Sequence, residues 1–185
     1  MVIRHLIRSL WLFTIFTTLI ACTPEDTKKG ARLSFFDLEG YVSQQVQLLQ
    51  NDQPKAVKSV SLDARIEEKV LSTLDYRKEL ELFAQADINK PAWRDKYTVD
   101  SVFNQAGVLE SLTYEATDDK IPTRRLHIDF DRGEVSRILV EESFSSAIAD
   151  TRRELTFMPG LGYQVISVQT GKAGNKNMRI NVSWP

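Results

Sequence analysis

Residues 123–142 read TRRLHIDFDRGEVSRILVEE, and the alternation inside this stretch decides the fold class. Leu126, Ile128 and Phe130 recur at every second position with Arg125, His127 and Asp129 between them, the period of an extended chain with one apolar and one polar side. Arg132-Gly133 supplies turn chemistry, and Glu134 to Glu142 resumes as a second strand. So short a link joins antiparallel neighbours, because a parallel crossover needs a dozen or more residues.

The same grammar extends in both directions. Downstream, Ala149 to Phe157, Tyr163 to Thr170 and Asn177 to Trp184 read as strands, with Pro159-Gly160 and Gly171 to Asn175 at the turns. In the last of them Met178, Ile180, Val182 and Trp184 oppose Arg179, Asn181 and Ser183. Upstream, Tyr97 to Asn104 and Val108 to Ala116 are strands, with Asp118-Asp119 in the turn that follows. One apolar and one wet face is what an antiparallel sheet permits.

Before Pro91 the period changes. Ser34 reads as a helix start, with Asp37 favourable in the first turn, and Phe35, Leu38, Val42, Val46 and Leu49 form one face until Pro54. Ala56 to Leu62 has period two, and the stretch from there through Val70 fits a strand or a helix start. Asp75 caps a further helix bearing Tyr76, Leu80 and Phe83, stopped by Asn89-Lys90-Pro91. The expected fold class is α+β: two N-terminal helices, ahead of the main run of strands, packed on one face of a curved antiparallel sheet of about six to eight strands.

The first 33 residues read differently. Arg4 and Arg8 precede an apolar stretch from Leu10 through Ile20, far short of the roughly 20 residues that cross a bilayer. Leu19-Ile20-Ala21-Cys22 follows, and Cys22 is the only cysteine of the chain, so it has no disulfide partner. These four residues resemble the lipobox of bacterial lipoproteins. The resemblance implies cleavage between Ala21 and Cys22, then a diacylglycerol and an N-linked acyl chain such as palmitate on Cys22. At about 0.8 kcal/mol per buried CH₂, that anchor is effectively permanent. The expected organisation is a signal peptide over 1–21, a lipidated flexible tether over 22–33 and a single α+β domain over 34–185. Glu25-Asp26 partly resembles an acidic surface-export signal, although a solvated linker is the plainer reading.

Removing Arg4 and Arg8 from the 24 basic residues leaves 22 against 25 acidic ones, a net charge of −3. That balance speaks against a nucleic-acid partner. Glu79-Leu80, Phe83 and Ala86-Asp87-Ile88-Asn89-Lys90-Pro91-Ala92-Trp93, with Leu112, Tyr114-Glu115-Ala116, Pro122 and Arg124-Arg125-Leu126, resemble a family of uncharacterised lipoproteins of Gram-negative bacteria. The resemblance spans most of the mature chain and implies no activity. At the level of fold alone there is a likeness to the lipoprotein carriers LolA and LolB, which hold acyl chains between helices and a curved sheet.

Chemistry-bearing residues are sparse. His127, alone on the polar side of its strand with only Asp129 near, reads as a surface histidine rather than a zinc ligand. The acid pairs Asp118-Asp119, Asp129 with Asp131, and Glu141-Glu142 read as solvated charge. Asp129 and Asp131 lack the later ligands of a calcium loop. Gly160-Leu161-Gly162 is a tight turn without a phosphate-binding context. Arg124 and Arg152 would form an anion patch only on neighbouring strands, and ion pairs with Glu141, Glu142 or Glu154 are the plainer reading. Trp93, Trp184, Tyr41, Tyr97, Tyr114 and Tyr163 are scattered and read as packing. The expectation is therefore no catalytic residue, metal or cofactor. It leaves a lipid-anchored envelope protein, on the outer membrane facing periplasm or surface, that contacts another envelope protein through its polar face or an open edge. The alternative is a carrier of acyl chains between helices and sheet.

Overall fold

The computed structural model describes residues 34–184 apart from Ala64 and Ala173; Ala21, Cys22 and the expected tether lie outside the described residues. The elements are α1 (Leu38–Asp52), β1 (Ala56–Leu62), β2 (Arg65–Leu71), α2 (Tyr76–Glu79), α3 (Glu81–Gln85), a 3-10 turn (Pro91–Trp93), β3 (Tyr97–Phe103), β4 (Leu109–Ala116), β5 (Thr123–Asp131), β6 (Glu134–Ser145), β7 (Ala149–Met158), β8 (Gly162–Gly171) and β9 (Gly174–Ser183). All nine strands form one open antiparallel sheet in the order β2-β1-β9-β8-β7-β6-β5-β4-β3.

The register turns the alternation into a core. Leu126 faces Val140 and Ile128 faces Ile138, Ile138 and Val140 face Phe157 and Leu155, and these in turn face Tyr163 and Val165. All eight are buried. Leu38, Val42, Val46 and Leu49 of α1 belong to the same cluster, as do Tyr76, Leu80 and Phe83. Phe83 lies between Phe157 and Tyr163, with ring centroids at 5.7 and 5.9 Å. Gly162 lets β8 start against β9, since a Cβ there would sit 2.0 Å from Val182 O.

Four expectations need correction. The sheet has nine strands rather than six to eight, because Arg65–Leu71 pairs with β1 through the turn at Asp63. Its side chains are exposed on both faces, so it shows no alternation to read. Second, the helices do not both precede the sheet, since β1, read between them, and β2 belong to it. Third, the second helix is two short pieces, broken at Leu80, whose φ of −97° and ψ of 3° leave helical geometry. Finally, α1 starts at Leu38 instead of Ser34: the Asp37 carboxylate accepts from Gly40 N–H and caps it. Phe35 lies before the helix but still packs edge-on to Tyr97 and Tyr114.

Candidate functional site

The loop after α3 joins the beginning of the domain to its sheet. Asp87 Oδ2 accepts the Leu38 and Glu39 N–H groups at 2.9 and 3.1 Å, satisfying two donors at the start of α1 that have no partner within the helix. Asn89 Oδ1 accepts from Ser34 and Phe35 N–H, and Asn89 Nδ2 donates to Phe36 O at 2.8 Å. Asp87 Oδ1 in turn accepts Asn89 N–H at 2.6 Å. Thr123 Oγ1 donates to Ala86 O, attaching this clamp to β5. Lys90 Nζ lies 4.1 Å from the centroid of Trp93.

Beside the clamp opens a cleft of about 720 Å³, walled by α3, the loop through Trp93, Pro122-Thr123, Glu142, Phe144 and Arg153. Glu142 is only 8% exposed, and among the described residues no donor bonds its Oε2; Arg153 Nε approaches to 3.5 Å without forming a hydrogen bond. Burial holds the Glu142 carboxyl above its ordinary value, against the opposing pull of Arg153 and Lys90. The expectation that Glu141-Glu142 is a solvated pair is thus half wrong. Neighbours on a strand point to opposite faces, and Glu142 shares the parity of Ile138 and Val140. That parity was the available signal. For Asp87 there was none, because its partners lie at the other end of the domain segment.

The opposite face is a ladder of polar pairs. His127 lies on this face with Asp129 as expected, its side chain 17% exposed, with Nε2 3.0 Å from Asp129 Oδ1 and Nδ1 2.8 Å from Thr113 Oγ1 on the neighbouring strand. Arg137 Nε donates to Asp129 Oδ2 at 2.7 Å. Arg125 lies between Glu141 and Glu115, and Gln164 donates to Asn181 at 2.6 Å. Arg124 and Arg152 sit on strands separated by β6; Arg124 is engaged by the turn before β5, donating to Asp118 O and to Asp119 Oδ1. Asp118 also bonds Lys96, whose ammonium holds its carboxyl below the usual range. Trp184 packs against Tyr76 and Tyr163, and Trp93 against Tyr97. Among the described residues no group of three or more His, Cys, Asp or Glu is placed to hold a metal ion.

The two outer strands differ. In β2, Arg65, Glu67, Glu68 and Lys69 place four charges beside Ile66 and Val70, which are 71% and 72% exposed. In β3 the only charge is Asp100, and Val99, Val102 and Phe103 are 53%, 46% and 58% exposed. Thr117 N–H donates to Lys96 O at 2.9 Å, which makes that opposed pair a hydrogen-bonded one. By the antiparallel alternation, Thr98, Asp100 and Val102 bond to β4, while the N–H and C=O groups of Tyr97, Val99 and Ser101 point out of the sheet.

No family model, curated protein or solved structure matches the chain. The functional reading therefore rests on the residues themselves.

Proposed function

We propose that this chain is a lipid-anchored envelope protein with no enzymatic role, held on the outer membrane through Cys22, and that it docks another envelope protein by β-augmentation along β3. The helices serve as a lid on the apolar face of a curved sheet, leaving the polar face and this edge for contact. One observation carries the reading: β3 presents outward backbone donors and acceptors next to exposed Val99, Val102 and Phe103, with one charge along its length. Natural edges are commonly blunted by charge, as β2 is, and an unblunted edge is a template for an added strand.

The acyl-carrier alternative needs an apolar chamber of roughly 300 to 1,000 Å³. Phe83, Phe157, Leu38, Leu80 and Ile88 fill the space between helices and sheet. The cleft of about 720 Å³ is lined by Glu39, Glu81, Glu142, Lys90 and Arg153, which would strand charge against hydrocarbon. The filled core favours the interaction reading.

A photo-crosslinking residue placed at Val102 tests it in intact cells. The expected result is one dominant adduct with another envelope protein, absent when the same residue replaces exposed Leu48 of α1. No adduct at Val102, or the same products from both positions, would contradict docking along β3.

A further inference from the structure

The strand at the other edge, β2, carries a pattern that docking along β3 does not use. Among the described residues it pairs with β1 alone, from Ala56 opposite Leu71 to Leu62 opposite Arg65. Asp63 N–H donates to Asn177 O at 2.8 Å, so Asp63, Ser61 and Ser59 bond to β9. By the same alternation Lys58, Val60 and Leu62 bond to β2, at Lys69, Glu67 and Arg65. The N–H and C=O groups of Ile66, Glu68 and Val70 therefore point out of the sheet. Two of these residues are apolar, and Ile66 and Val70 are 71% and 72% exposed.

An added antiparallel strand bonds to this edge only when its own outward residues lie opposite these. A second copy of β2 meets that condition about an axis through Glu68. Ile66 then faces Val70 and Glu67 faces Lys69 on both sides of the axis, apolar against apolar and acid against base. Glu68 faces its own copy, one exposed like-charge contact that keeps the union weak. A slip of one strand along the other spoils the match. In one direction Glu67 meets Glu67 and Arg65 meets Lys69; in the other Lys69 meets Lys69 and Glu68 meets Val70. The charges that deter a general added strand thus accept one strand in one register. We propose that β2 is a self-recognition edge, where two copies of this chain pair antiparallel across a twofold axis at Glu68 and join their sheets. Such a union closes at two copies, whereas β2 added to β3 of another copy runs head to tail without closing. It also leaves both β3 strands free at the outer edges.

The test uses the full chain, purified and mildly oxidised. Glu68→Cys sets two sulfurs against each other on the axis, where opposed Cα atoms about 5.5 Å apart permit a disulfide. It should give a linked dimer at a yield well above two controls: the parent, whose one cysteine is Cys22, and Ser101→Cys on β3. Adding Glu67→Lys to Glu68→Cys sets base against base and should cut that yield about fivefold, since two opposed pairs are reversed. Adding Lys69→Glu instead should do the same. The two exchanges together return acid opposite base and should restore the dimer. All these β2 side chains are exposed and outside the core, and circular dichroism checks that each variant is folded.

A dimer yield from Glu68→Cys no higher than that of either control overturns the proposal. So does a yield that the single exchanges leave unmoved, or one that the folded double exchange fails to restore. Sedimentation of the parent should show nothing larger than a dimer; a ladder of larger species would assign head-to-tail growth through β3 and overturn it equally. None of these outcomes decides whether Val102 crosslinks to another envelope protein, so the two readings stand or fall apart.

Discussion

Asp87 and Leu38 are 49 residues apart in the chain, yet the Asp87 carboxylate accepts the Leu38 N–H at 2.9 Å and so caps a helix from a distant loop. The Glu39 N–H shares the same oxygen. Ordinary caps are local, as Asp37 is for Gly40 N–H. Here a second acid supplements the first and ties the start of α1 to the loop that leads into β3.

Asp87→Ala should therefore lower stability by about 1–2 kcal/mol, since the part-buried Glu39 N–H loses its acceptor and the Leu38 N–H is left with Phe36 O alone. Asp87→Asn, which retains one oxygen, should lose less. Urea unfolding followed by circular dichroism measures both. A loss under about 0.5 kcal/mol for the alanine variant, the range of ordinary surface changes, would contradict the clamp.

Phe83 is fully buried between Phe157 and Tyr163. Phe83→Ala should cost about 3–5 kcal/mol, while Val102→Ala on the exposed edge should stay within about 0.5 kcal/mol. The same urea titration separates them. Equal effects would mean that the helices and the sheet do not share a core.

Burial raises the Glu142 carboxyl above its ordinary value of 4.5. The folded chain then holds that proton more readily than the unfolded chain, so the contribution is fully present below about pH 4.5 and is lost as pH rises toward the folded value. Glu142→Gln does not titrate. Its stability relative to the parent should rise across that window, read from thermal midpoints at closely spaced pH. A constant difference between the two proteins would contradict a buried carboxyl.

Cys22→Ser should move the protein from the membrane fraction to the soluble fraction, because no thiol then remains to accept lipid. Cell fractionation with immunoblotting checks this. A serine variant that still pellets with membranes would contradict the anchor.

Much of the sheet was legible because its middle is half-buried. Thr123–Asp131 runs as the alternation of Leu126, Ile128 and Phe130 predicts, and Met178 to Trp184 held its period as well. Arg65–Leu71 was not legible, since a strand exposed on both faces has no apolar side to mark it. The break at Leu80 was hidden because Tyr76, Leu80 and Phe83 keep helical spacing across it. The cleft was harder still: Asp87, Glu142 and Arg153 come from three segments, and only the register that pairs Glu142 with Arg153 brings two of them together. The contact of His127 with Thr113 was hidden for a related reason, because Thr113 stands on the neighbouring strand.

Docking along β3 is tested most directly by blocking the edge without disturbing the sheet. Ser101 directs its N–H outward, so Ser101→Pro removes a donor that β4 does not use. The photo-crosslinked adduct formed from Val102 in intact cells should disappear in the Ser101→Pro background, while the thermal midpoint of the purified variant stays near that of the parent. Persistence of that adduct at parental yield, in a variant that is folded, would contradict recognition through this strand.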